Sequence, residues 1–118
     1  MNELFPVAPT PNVMSDQFRV HPVIGDGMAP ALRSNWDYVL LKPTTEYCGE
    51  GIYLMHDGIG PDLFRIQLWG KGTLLMKRDN PIYDTQHVLT KDQFEQSVLA
   101  YVVADIKVRD ERFFREAH

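Results

Sequence analysis

The chain has 118 residues, 44% of them hydrophobic, with 12 Lys and Arg against 16 Asp and Glu for a formal charge of −4. That length suits one compact domain, typically roughly 100–150 residues, and leaves little room for a second. An acidic balance without a basic tract excludes a strong DNA-binding surface of its own, the single cysteine, Cys48, excludes an intrachain disulfide, and no apolar run reaches the ~20 residues of a membrane helix.

Residues 1–16 contain Pro6, Pro9 and Pro11 with few periodic apolar positions, which predicts a flexible, proline-rich arm. Its first residues show no basic region followed by an apolar core, so no secretory signal is expected and the cytoplasm is the default compartment. From Phe18 the pattern changes. Phe18, Val20 and Pro22 alternate with Arg19, His21 and Val23, as in a short strand. Gly25 to Pro30 reads as a turn leading into a helical turn from Ala29 to Arg33. Asp37 to Lys42 is rich in strand formers and stops at Pro43, and Gly51 to His56 is a second such run, closed by the Asp57-Gly58 turn.

Asp62 to Trp69 forms the next strand, with Phe64, Ile66 and Leu68 expected on the buried face and Leu63, Arg65 and Gln67 on the other. Gly70-Lys71-Gly72 is a hairpin turn whose glycines tolerate positive φ, and Thr73 to Lys77 returns from it until Asp79-Asn80-Pro81 breaks the strand. Thr90 to Phe94 predicts one helical turn capped by Thr90. A long strand follows from Val98 to Val108, apolar enough to be covered on both faces, and then a charged, helix-prone tail over 109–118. The expected class is mainly β with short helical turns, one domain over 17–108.

Three segments in order carry a resemblance. The first is Val23-Ile24-Gly25-Asp26-Gly27-Met28-Ala29-Pro30-Ala31-Leu32, followed by Asp37-Tyr38-Val39-Leu40. The second runs from Gly51-Ile52-Tyr53-Leu54 through Leu63-Phe64-Arg65-Ile66. The third is Asp79-Asn80-Pro81-Ile82-Tyr83. Together with the strand around Tyr101-Val102-Val103 they resemble the C-terminal, self-cleaving peptidase domain of LexA-like repressors and the related signal-peptidase fold, over roughly residues 20–108. The resemblance implies a bent β-sheet or barrel of the β-clip type that dimerises through its β surfaces and C-terminal strand.

The departures decide the activity that the resemblance implies. In the family a serine attacks a peptide carbonyl and an unprotonated lysine takes its proton. The serine position falls on Gly27 and the lysine position on Phe64, and neighbouring Arg65 stays protonated at any reachable pH. Ser15 and Ser34 lie outside the matching blocks, Lys77 fits a surface strand end, and Cys48 sits in a loop without a neighbouring histidine. No Ala-Gly or Cys-Gly bond precedes position 27; Cys48-Gly49 follows it. The expectation is a domain that is not an enzyme and carries no cofactor and no metal, since His21, His56, His87 and His118 lack zinc-site spacing.

What remains is contact. Val102, Val103 and Ile106 on the last strand, Trp69, and Phe113 and Phe114 in the tail are the interaction candidates. Trp36 and Trp69 divide evenly between partner anchor and core cover. Adjacent Phe113 and Phe114 cannot both face the core of a regular helix, so at least one is expected on a partner, with docking back onto the domain as the alternative. The first functional expectation is a homodimerising, catalytically dead module in a phage or bacterial transcription regulator, insensitive to the DNA-damage signal that triggers cleavage in its relatives. It would reach DNA only through another domain or chain. The alternatives are a stand-alone antirepressor or modulator that pairs with an intact repressor, and a self-cleaving peptidase with a non-standard nucleophile.

Overall fold

The computed structural model describes residues 17–117; the arm at 1–16 and His118 lie outside the described residues. The described elements are β1 (Arg19–Pro22), β2 (Asp37–Pro43), β3 (Gly51–His56), β4 (Pro61–Gly70), β5 (Thr73–Lys77), β6 (Gln86–Thr90), α1 (Lys91–Ser97), β7 (Val98–Lys107) and α2 (Glu111–Ala117). The strands form one antiparallel sheet in the order β1-β2-β7-β3-β4-β5-β6. Among the described residues the chain is thus mainly β with two short helices, and the sheet is open, with β1 and β6 as its edges.

Both faces of the sheet are buried at its centre. Alternation along β3 and β4 sends Leu54 and Leu63 to one side, where Val23, Met28 and Leu32 of the β1–β2 connection cover them together with Val39, Leu41 and Ala100. Tyr53, Met55, Phe64 and Ile66 go to the other side and pack with Leu74, Val98 and Phe94. Phe94 is fully buried and fastens α1 over this second cluster, a burial that contributes about 1.5–3 kcal/mol. The helix starts with a reciprocal capping box between Thr90 and Gln93, which satisfies backbone donors that its first turn would otherwise leave unpaired.

Three register shifts interrupt the ladders. The unpaired extra residues are Leu99 and Val103 in β7 and Trp69 in β4. All three are apolar and turned outward, Leu99 and Val103 at 40% exposure and Trp69 at 57%. A bulge bends its strand and re-aims a side chain in this way.

Several expectations need correction. Leu63 is buried although its face was expected to be open, because the β1–β2 connection folds over it; Leu68 is exposed, having run past the end of the second cluster. The helical turn expected from Ala29 to Arg33 is present as one turn, closed by the Leu32 N–H to the Met28 carbonyl at 3.0 Å. β6 has no counterpart among the expected strands. It is an edge strand exposed along most of its length, so the alternation that marks a half-buried strand is missing from Gln86-His87-Val88-Leu89-Thr90. Only the first half of β7 is covered on both faces; from Val103 to Asp105 it is exposed.

Candidate functional site: the corner joining Gly27, Phe64 and Arg78

Gly27 lies in the β1–β2 connection and Phe64 in the middle of β4, yet one side chain touches both. A Cβ built on Gly27 would lie 2.8 Å from Arg78 Cδ and 3.1 Å from its Nε. The Arg78 guanidinium carbon stands 4.8 Å from the centre of the Phe64 ring and 5.5 Å from that of Tyr83, within the range where a cation is held by an aromatic face. Arg78 Nη2 donates to Asp62 Oδ2 at 2.6 Å, while its buried Nε has no hydrogen-bond partner among the described residues.

The loop after β5 locks onto the same corner. The Asn80 backbone N–H donates to the Gly27 carbonyl at 2.9 Å, and Asn80 Nδ2 donates to the Asp26 carbonyl at 2.8 Å. The Tyr83 hydroxyl donates to Asp26 Oδ1 at 2.5 Å, and that bond raises the tyrosine pKa above its ordinary value. Arg65, on the opposite face of β4 from Phe64, grips Asp79 through two bonds of 2.9 and 2.7 Å and lowers the pKa of its carboxyl. The three sequence blocks that carry the resemblance therefore meet in one place. Sequence reasoning singles out Gly27, Phe64 and the Asn80-Pro81 loop but neither Arg78 nor Asp62; the position of Arg78 directly before Asp79-Asn80-Pro81 is the signal that was available.

Chemically, the corner offers neither a hydroxyl at position 27 nor a base at position 64. Arg78 fills the space between them, and a guanidinium is no general base. Elsewhere, Ser34 Oγ accepts the Gly25 N–H at 2.8 Å and serves the turn. Cys48 is exposed, with its sulfur 3.5 Å from both Thr44 Oγ1 and the Glu46 carbonyl, neither of them a base. Ser15 lies outside the described residues. Among the described residues no group of three or more His, Cys, Asp or Glu is placed to hold a metal ion, and no helix is long and apolar enough to cross a membrane.

The interaction candidates fall on three elements, β7, α2 and the end of β4. β7 pairs with β3 only as far as Tyr101, and beyond it with β2 alone, so among the described strands its other edge is open from Val102 to Lys107. Val102 packs against the first cluster, Val103 is the exposed bulge residue and Ile106 is half-buried. In α2 the two phenylalanines divide: Phe114 docks back onto the Tyr38 ring at 5.0 Å, whereas Phe113 is 68% exposed. Trp69 projects from its bulge at the far end of β4, and Trp36 is also exposed, under the Arg33 guanidinium. Compared with protein-family models and with curated proteins, the chain matches no family model and no curated sequence.

Proposed function

We propose that this chain is a LexA-like β domain without catalytic function, serving dimerisation and protein–protein contact in a phage or bacterial transcription regulator. In this reading it works in the cytoplasm, and any DNA contact belongs to another domain or chain. The observation that carries the proposal is the convergence of Gly27 and Phe64 on Arg78: two positions far apart in sequence, equated by resemblance with a serine and a lysine, lie against the same side chain. Neither of them can attack a carbonyl or accept a proton.

The half-open edge of β7 supports the dimerising role. An open strand edge presents unpaired N–H and C=O groups that a second copy can satisfy, and here Val103 adds apolar surface beside it. Light scattering at high micromolar concentration is expected to return the mass of two chains; the mass of one chain overturns the dimer. Incubation at alkaline pH is expected to leave the chain intact. Time-dependent fragments that a point substitution abolishes would return the reading to a peptidase.

A further inference from the structure

Asp37, at the start of β2, has its side chain fully buried and is shared by two cations. Arg33 Nη2 donates to its Oδ1 at 3.2 Å, and Lys107 Nζ donates to its Oδ2 at 2.9 Å. The carboxylate is sealed from solvent, whereas more than half of each cationic side chain is exposed. Trp36 stands beside them at 67% exposure, its ring centre 5.6 Å from the Arg33 guanidinium carbon. We propose that Trp36, flanked by Arg33 and Lys107, docks a segment of a partner protein that carries a carboxylate next to an apolar side chain.

The charge of the surface selects the occupant. Asp37 stays ionised, its pKa lowered to about 2, so two cations on one carboxylate leave one net positive charge. The carboxylates closest to Lys107 in the chain serve other cations: Asp110 is held by Arg112, and Asp105 acts on Arg65. Donors also remain. Arg33 commits Nε and one Nη2 N–H to Asp37, and Lys107 commits one N–H to Asp37 and one to the Ala31 carbonyl. Both Nη1 hydrogens of Arg33 and the third N–H of Lys107 thus have no acceptor among the described residues.

The turn that presents the indole is fixed. The N–H groups of Asn35, Trp36 and Asp37 donate to the carbonyls of Val23, Arg33 and Arg33 at 2.8, 3.2 and 3.0 Å, so docking need not order the backbone first. Trp and Arg are the side chains most enriched where a few residues carry the binding energy of an interface. A single-stranded nucleic acid is the other anion that an aromatic face and two cations suit. It draws its affinity from many phosphate contacts, and one surplus positive charge on a chain of net charge −4 does not supply them. One carboxylate matches that surplus, and its apolar neighbour covers the indole. The site includes neither Gly27 nor Phe64 and goes beyond the proposed pseudo-peptidase role. Trp36 and Arg33 precede β2, which pairs with the other side of β7, so they lie off the open β7 edge.

The test follows the Trp36 indole N–H, assigned with Trp36→Phe, in two-dimensional NMR of the full chain. The probes are a capped peptide alternating Glu with Leu, its Gln–Leu analogue, and oligothymidylate. The acidic peptide is expected to shift the Trp36 signal and not that of Trp69, and to bind at least about tenfold more tightly than either other probe. Trp36→Ala and Arg33→Gln are each expected to weaken it by about tenfold, read from the remaining Arg33 or Trp36 side-chain signal. If Arg33→Gln fails to fold, Trp36→Glu, at a position already exposed, carries the charge test. Equal affinity for the acidic peptide and its Gln analogue, tighter binding of oligothymidylate, or no shift of Trp36 with any probe overturns the proposal. So does conversion of a dimer to a monomer by Trp36→Ala, since a second copy of this chain would then be the occupant.

Discussion

At Gly27 the approach of Arg78 leaves no room for even a methyl group. The guanidinium is held by Asp62 and by the rings of Phe64 and Tyr83, so the side chain cannot simply swing away. Gly27→Ala is therefore expected to lower stability by about 1 kcal/mol, within the range for forced overpacking, and Arg78→Ala in the same chain should recover part of that loss. Urea midpoints of the two single variants and the double variant measure the coupling; additive effects would show that the two positions do not sense each other. Asp37 presents a different economy of contacts. Its side chain is fully buried, which by itself would raise the pKa, but bonds from the Arg33 and Lys107 side chains and the Arg33 backbone N–H outweigh burial and lower it to about 2. Because the folded value lies below the ordinary carboxylate value of 3.8, the stabilisation is fully present above about pH 4 and is lost as pH falls through about 2. Asp37→Asn is expected to cost about 2 kcal/mol at neutral pH, and the difference between wild type and variant should vanish in acid-dependent urea titrations as pH approaches the folded pKa.

Among the elements, α1 shows how a short helix survives. Seven residues are too few for a stable isolated helix; buried Phe94 and the Thr90–Gln93 capping box hold it in place. Thr90→Ala is expected to cost about 1 kcal/mol, read from the thermal or urea midpoint. The loss should be seen first as faster hydrogen exchange in α1 and adjoining β6, since these contact each other. β7 makes the complementary point. Its two bulges divide it into a first half, where Val98 and Ala100 serve opposite cores, and a second half that pairs on one side only. An apolar run that reads as uniform in sequence is thus two stretches, one paired on both sides and one paired on one side only.

For the molecule as a whole, the open sheet has a shape consequence. The Cα radius of gyration is 15.8 Å with extents of 47 × 29 × 22 Å, against about 13.5 Å expected for a compact chain of this length. An elongated, open sheet keeps more of its apolar side chains at the surface than a closed barrel does, and Val103, Trp69, Ile82 and Phe113 are among those exposed here. Stability and association should therefore separate. Val103→Lys places a charge on a residue already turned to solvent, so the urea midpoint is expected to move by no more than about 0.5 kcal/mol. Sedimentation should nevertheless show loss of self-association if the β7 edge is the contact. A variant that unfolds instead would mean that Val103 belongs to the core.

The mainly β class, five of the seven strands nearly to their ends, the Thr90 cap and the last strand to within one residue were legible in the amino-acid sequence, because alternation, β-branched runs and turn residues are local signals. So was the absence of a hydroxyl and an amine at positions 27 and 64, which needs only residue identity. Tertiary structure alone decided that those positions lie against one side chain, Arg78, that Leu63 is covered while Leu68 is not, and that β6 exists at all. Each of these depends on which distant segments close over a given face or pair with a given edge, and no periodicity within a single segment encodes that.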